Sequence, residues 1–310
     1  MYIGIDVGGM SIKAGIVKDS GEIIAKHAVP TPPDGVELFL SAMLESVEKA
    51  LKASGVSKSE IKAIGIGAPG VVDRARGLLV TEPNISYIKN LNVREYLKKN
   101  FADIPVFVEN DANSAALGEY YMAENAQNFV FVTLGTGVGG GIIIGGKLFT
   151  GTNGMGGELG HIVTHLGGRK CGCGRYGCWE AYASVTGLKK TTEEHRHEIK
   201  GIAPDEKVSG RTVFRLAKAG DKDAERVRDM WINEVAIGIA DLVNIFQPDE
   251  IVIGGAISKE GDVLLNPIKK YVKENVFSAE GLKETEILVS RIGGDAGIIG
   301  AAFLYKNSKN

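Results

Sequence analysis

The chain has 310 residues, enough to bury two cores of ordinary size. Its 36 basic and 38 acidic residues leave a formal net charge of −2, a balance that argues against nucleic acid or an anionic membrane surface as a partner. No apolar run approaches the length of a bilayer span, the first residues lack the basic and apolar regions of a signal peptide, and three thiols suit a reducing compartment, so a soluble cytoplasmic protein is expected. Glycine is the outlier: 42 residues, nearly twice the usual ~7%. These glycines cluster between apolar runs without a period, which excludes collagen and flexible linkers and suggests backbone brought close to a ligand.

In chain order, residues 2–17 (YIGIDVGGMSIKAGIV) predict strand, Gly-Gly turn, strand. Residues 36–54 place Val36, Phe39, Leu40, Met43, Val47 and Leu51 at helical spacing, with Gly55 as the stop. Short buried strands are expected at 63–67 and 106–108, the second leading into a helix that begins near Asp111. Aspartate at such a boundary is commonly a helix N-cap, but a rigid strand end also suits a catalytic carboxylate. Residues 129–144 (FVFVTLGTGVGGGIII) repeat the opening pattern, with Thr133 aligned on Asp6 and Gly135 on Gly8. One glycine hairpin therefore opens each half of the chain.

The stretch 157–180 (GELGHIVTHLGGRKCGCGRYGCWE) holds all three cysteines, Cys171, Cys173 and Cys178. Three thiols leave one over in any disulfide scheme, whereas three thiolates and one imidazole complete a closed tetrahedral zinc site. Spacing allows either His161 or His165 as the fourth ligand. Residues 191–209 are charged and aperiodic and read as a solvated excursion; His195 and His197, two apart, diverge on a helix and form no metal site. Helices are then expected over 212–220 and 222–247, the latter stopped by Pro248, a strand at 251–255, a helix at 263–275, a strand at 286–290 and a final helix from Asp295 to about Lys306.

Gly135-x-Gly137-x-x-Gly140 and Gly65-x-Gly67-x-x-Gly70 both fit the dinucleotide fingerprint, yet neither is followed by the helix whose N-terminus would face a pyrophosphate. The dehydrogenase reading fails on that context. Two glycine hairpins can instead offer successive backbone N–H groups to phosphates. Asp6, beside the first, suits Mg²⁺, which takes one or two carboxylates together with waters and phosphate oxygens.

With DVGG at 6–9, ENDAN at 109–113, TLGTGVGGG at 133–141, GELGH at 157–161 and CGCGRYGCWE at 171–180, the chain resembles the ROK family of bacterial sugar kinases, within the actin/Hsp70/hexokinase superfamily. The resemblance implies two ribonuclease H-like α/β domains with ATP and sugar in the interdomain cleft, residues 1–115 plus 295–310 forming one and 116–294 the other. It implies that the final helix packs back on the N-terminal domain. Asp111 would be the general base, with Asn110, Glu158, His161 and Glu180 on the other sugar hydroxyls and Gly70 and Asn84 as further candidates. His161, Cys171, Cys173 and Cys178 match the family's zinc ligands, which favours His161 over His165. Asp6, Gly8, Gly9, Ser11, Lys13, Thr133, Gly135, Thr136 and Gly137 would serve the phosphates and their Mg²⁺, and Gly254 and Gly255 would lie against the adenosine. Met10 stands where the family has threonine, so any hydroxyl contact at that loop falls to Ser11. The implied activity is phosphorylation of a hexose by ATP, glucose first because of the Cys-Trp-Glu-Ala form at 178–181. N-acetylglucosamine, N-acetylmannosamine, allose and fructose are the alternative substrates. A sugar-responsive regulator is the reading from another class, but such relatives carry an N-terminal helix-turn-helix domain, whereas here the first strand is expected at residue 2. The family also suggests a homodimer.

Overall fold

Each glycine-bearing repeat folds as a β-hairpin. The computed structural model describes residues 1–82, 85–123, 126–277 and 281–308. In chain order the elements are β1 (Tyr2–Val7), β2 (Ser11–Val17), β3 (Ile23–Pro30), α1 (Val36–Ser54), β4 (Ala63–Ala68), β5 (Val71–Asp73), β6 (Leu78–Thr81), β7 (Lys89–Asn92), α2 (Val93–Asn100), β8 (Val106–Asn110) and α3 (Asp111–Tyr120). There follow β9 (Phe129–Leu134), β10 (Val138–Ile144), β11 (Lys147–Phe149), α4 (Glu180–Ala183), α5 (Val185–Glu194), α6 (Thr212–Lys218), α7 (Lys222–Phe246), β12 (Glu250–Gly254), α8 (Asp262–Asn275), β13 (Glu286–Val289) and α9 (Ala296–Asn307).

The repeat extends to whole sheets. One has the strand order β3-β2-β1-β4-β8 and the other β11-β10-β9-β12-β13, so each hairpin's first strand is the central strand of its sheet. Asp6 and Thr133 both occupy the fifth position of a six-residue strand, the only half-buried position in an otherwise buried run. A third, three-stranded sheet, β5-β6-β7, lies outside this plan. The chain folds into two compact units, Met1–Phe131 with Gly141–Gly157 and Arg291–Asn310, and Val132–Gly140 with Glu158–Ser290.

In the first unit, α1 buries Phe39, Leu40, Met43, Val47 and Leu51 and ends at Gly55, whose left-handed φ of 69° turns its N–H back to the Leu51 carbonyl. The last helix returns to this unit. It rests on the sheet by backbone contact, because a Cβ on Gly4 would lie 1.9 Å from the Ile298 carbonyl oxygen and one on Gly65 would lie 1.7 Å from that of Ala301. It crosses α3 just as closely: a Cβ on Gly300 would meet the Ser114 carbonyl oxygen at 1.5 Å, and one on Gly118 that of Ala296 at 2.3 Å. The helix that begins with Asp111 is thus held against the final helix by direct backbone approach at Gly118 and Gly300.

In the second unit the expected long helix is α7, which ends at Gln247 just before Pro248. The stretch 191–209 differs from its expectation. Helix α5 runs through Glu194 with Thr191 and Thr192 buried, and Ile199, Ile202 and Val208 dip into the core. Isolated apolar residues at irregular intervals anchor the excursion, which is why no period reveals them. His195 pairs with Glu198 through Nδ1 at 2.7 Å. No helix among the described residues is long and apolar enough to cross a membrane.

Candidate functional site

The strand–helix corner at 109–113 is built by its own polar side chains. Asn110, not Asp111, is the helix cap: its Oδ1 accepts from the N–H of Ala112 at 2.9 Å and of Asn113 at 3.3 Å. Its Nδ2 donates to the Gly70 carbonyl at 3.2 Å, which brings Gly70 to the corner. Asp111 opens the first turn of α3, where the N–H groups favour an anion, and its Oδ1 accepts from Ala112 N–H at 2.8 Å. Asn84 lies outside the described residues.

Two further acids belong to this neighbourhood. Glu109 is 2% exposed and takes four hydrogen bonds: Arg74 donates through Nε and, at 2.7 Å, through Nη2, Asn113 through Nδ2 at 3.0 Å, and Asn110 through its backbone N–H at 2.8 Å. Glu82, just after β6, is 3% exposed and neither carboxylate oxygen has a hydrogen-bond partner among the described residues. Burial first, and the charge of Asp111 second, push its carboxyl up to about 8. The motif at 109–113 signals Glu109 but not its partner, and nothing in the sequence singles out Glu82 or Arg74.

At the first hairpin, Lys13 Nζ donates to Asp6 Oδ2 at 2.9 Å, and a Cβ on Gly297 would sit 2.9 Å from the Asp6 carboxylate. The Gly8 N–H closes the turn on the Ser11 carbonyl at 3.0 Å. Thr31 braces the loop from outside, its hydroxyl donating to the Gly8 carbonyl at 2.6 Å and its N–H to the Met10 carbonyl at 3.1 Å. Gly9 and Met10 are exposed at the tip, Met10 by 90%. The second hairpin repeats the device, with Gly135 N–H donating to the Gly137 carbonyl at 3.0 Å. Its tip is held at the start of α5, where Thr186 Oγ1 donates to the Thr136 carbonyl at 2.7 Å and Val185 N–H to that of Gly135 at 2.8 Å. Thr133 is half-buried on β9. Gly254 ends β12, and Gly255, with φ 89°, abuts the end of β9, where a Cβ would fall 2.2 Å from the Leu134 carbonyl oxygen.

The cysteine loop converges on one point. One ligand atom from each of His161, Cys171, Cys173 and Cys178 lies within 4.8 Å of the others. Zinc–sulfur bonds of about 2.3 Å at tetrahedral angles place two sulfurs about 3.8 Å apart. The Sγ atoms of Cys173 and Cys178 are 3.7 Å apart, and Cys171 Sγ is 3.7 Å from His161 Nδ1. The donor set therefore fits a tetrahedral metal of the structural zinc type, with His161 engaged through Nδ1. His165 is directed elsewhere: its ring stacks on Tyr182 at 4.0 Å, its Nδ1 meets Thr164 Oγ1 at 3.0 Å and its Nε2 lies 3.5 Å from Glu234.

Glu180 joins the cysteine loop to the second hairpin. Its Oε1 is 3.5 Å from Cys171 Sγ, while its Oε2 accepts from Val138 N–H at 3.0 Å and fills the space where a Cβ on Gly137 would stand, at 2.3 Å. Trp179, fully buried next to it, donates to the Glu234 carbonyl at 2.8 Å and fits over Gly238 on α7. Glu158 is exposed ahead of the turn that carries His161, and its carbonyl accepts from His161 N–H at 3.0 Å.

Two sheets of one strand order, each entered through a glycine hairpin and one followed by a loop of three cysteines and a histidine, define an α/β protein of the actin/hexokinase-like fold. The ROK family model matches residues 2–308. A glucokinase of Halalkalibacterium halodurans is 38% identical over 321 aligned positions, covering 100% of this chain and 96% of that one. The solved ROK glucokinase of Streptomyces griseus, in complex with glucose and AMPPNP, superposes with a TM-score of 0.79 at 35% identity over 98% of both chains. The ROK hexokinase of Thermus thermophilus does so at 0.82, with 35% identity over 99% of both. The chain belongs to the ROK family.

Proposed function

We propose that this chain is an ATP-dependent glucose kinase with Asp111 as its general base. The observation that carries the reading is the division of labour at the α3 corner. Asn110 caps the helix through the N–H groups of Ala112 and Asn113, so Asp111, which shares only the Ala112 N–H with it, presents a carboxylate at the strand–helix corner without being the cap. The full-length likeness to glucokinases supports the choice of reaction and of sugar.

In the proposed reaction the 6-hydroxyl of glucose gives its proton to an Asp111 carboxylate oxygen as that hydroxyl oxygen attacks the γ-phosphorus of ATP. The bond from the γ-phosphorus to the bridging oxygen breaks, and ADP leaves with the electron pair. Such a transition state is loose, so positioning and charge neutralisation do most of the work. Asn110, Glu158, His161 and Glu180 hold the remaining hydroxyls, with Gly70 and Asn84 as further candidates. His161 is suited to this because its Nδ1 faces the cysteines, which leaves Nε2 to meet a hydroxyl. Gly9, Thr133, Thr136, Gly137 and Lys13 serve the phosphates. Gly8 and Gly135 use their N–H groups to close the turns and contribute mainly the clearance of a residue without a side chain. Gly254 and Gly255 lie along the adenosine. His161, Cys171, Cys173 and Cys178 would hold a structural Zn²⁺ that orders the loop carrying two of the hydroxyl ligands. Asp6 would supply a carboxylate to Mg²⁺, which neutralises phosphate charge. A cytoplasmic homodimer completes the proposal.

The test couples ADP release to a spectrophotometric readout across glucose, N-acetylglucosamine, N-acetylmannosamine, allose and fructose. Glucose is expected to give the highest kcat/KM by at least about tenfold, since hydroxyl-specific contacts discriminate strongly. Absence of ADP release with every sugar would overturn the kinase reading, and a faster alternative sugar would overturn the choice of glucose.

A further inference from the structure

We propose that Arg74 is a positioning residue for the general base, acting through Glu109; this rests on the kinase reading above. Glu109 lies one residue before the helix cap and two before Asp111. Its carboxylate is saturated by Arg74 Nε and Nη2, Asn113 Nδ2 and Asn110 N–H. Asn110 caps α3 and Asn113 lies in its first turn. One buried carboxylate therefore ties together the residues on both sides of Asp111, and among the described residues its charge is paired with Arg74.

Arg74 is itself held before it reaches Glu109. It lies in the turn between β5 and β6, and Arg94 on α2 grips that turn by donating from Nη2 to the Arg74 carbonyl at 2.6 Å and from Nη1 to the Ala75 carbonyl at 2.6 Å. The third donor of Arg94, Nε, reaches the Val106 carbonyl at 3.0 Å. Val106 begins β8 and Glu109 lies near its end, so the two arginines fasten the strand at both ends to one turn. Gly77 leaves room for this, because a Cβ there would fall 2.5 Å from that of Arg94. The small three-stranded sheet, which takes no part in the repeated architecture, thus acts as a buttress for the corner where Asp111 stands. A planar bidentate fork is required at Arg74, since a lysine gives a single point of charge and cannot span both carboxylate oxygens.

The experiment compares the full-length parent with Arg74→Lys, Arg74→Gly and Glu109→Gln, each corrected for folded fraction. Displacement of a catalytic group by about 1 Å costs on the order of 100-fold in rate. Arg74→Gly and Glu109→Gln are therefore expected to lower kcat by roughly 30- to 100-fold while the KM for glucose stays within about threefold. Arg74→Lys should recover only part of the loss, and added guanidinium, but not methylammonium, should raise kcat of Arg74→Gly. Crystal structures of the parent and Arg74→Lys give a readout that needs no turnover, and the Asp111 carboxylate is expected to shift by about 1 Å. Full kcat in Arg74→Lys, a loss that vanishes on correction for folded fraction, or an Asp111 that superposes on the parent would overturn the proposal. A parent that releases no ADP with any sugar would instead sink the kinase reading, and the structural comparison would still decide whether Arg74 positions residue 111.

Discussion

Replacing Glu82 with glutamine should change how stability depends on pH. The side chain is 3% exposed and its oxygens have no partner among the described residues, and burial together with the Asp111 charge raises its carboxyl from 4.5 to about 8. Between those two values the unfolded chain releases this proton while the folded chain keeps it. Stability contributed by the neutral carboxyl is thus complete below pH 4.5 and is lost as pH rises through about 8. Each unit of difference is worth about 1.4 kcal/mol, so the loss accumulates to the order of 5 kcal/mol across that interval. Glutamine nearly preserves the shape and cannot ionise. Urea unfolding of the parent and Glu82→Gln at pH 5, 7 and 8.5 should show the variant gaining on the parent by about 3–4 kcal/mol between the extremes. Asp111→Asn, which removes the like charge but not the burial, should narrow that gain without abolishing it. Parallel stability curves for parent and Glu82→Gln across this range would refute the reasoning.

The metal loop and the helix crossing yield two further outcomes. The protein as purified should carry about one zinc per chain by elemental analysis, and Cys178→Ser or prolonged chelation should remove it, lower the melting temperature by several degrees and weaken glucose binding at least tenfold; no zinc in the untreated protein would contradict the donor set. Gly300→Ala should destabilise despite alanine's better helix propensity, because its Cβ would stand 1.5 Å from the Ser114 carbonyl oxygen. A cost of about 1–3 kcal/mol is expected by thermal or urea unfolding, and a stabilised variant would show that α3 and α9 do not approach so closely.

Local patterns reveal most of the fold because its strongest signals are local. The glycine hairpins, the 36–54 stripe with its Gly55 stop and each copy of the duplicated strand pattern sit within about twenty residues, and the two sheets share one strand order as that duplication suggests. The β5-β6-β7 sheet escapes notice because its strands are only three or four residues long, too short for alternation to register. The cysteine cluster is legible as chemistry, but spacing does not choose between His161 and His165, since both lie within reach along the chain; the structure does, bringing His161 to the three thiols and stacking His165 on Tyr182. Arg74 is 35 residues from Glu109, and no single sequence reports such a pairing. Glu82 reads as one acid among many until its burial is known, and Gly118 and Gly300 acquire meaning only when two helices cross.

The general base is tested most directly by Asp111→Asn, assayed side by side for glucose binding by calorimetry and for ADP release under saturating ATP and glucose. The variant should bind glucose within a fewfold of the parent while kcat falls by about 10²–10⁴. Turnover within tenfold of the parent, with glucose binding intact, would show that another group takes the proton.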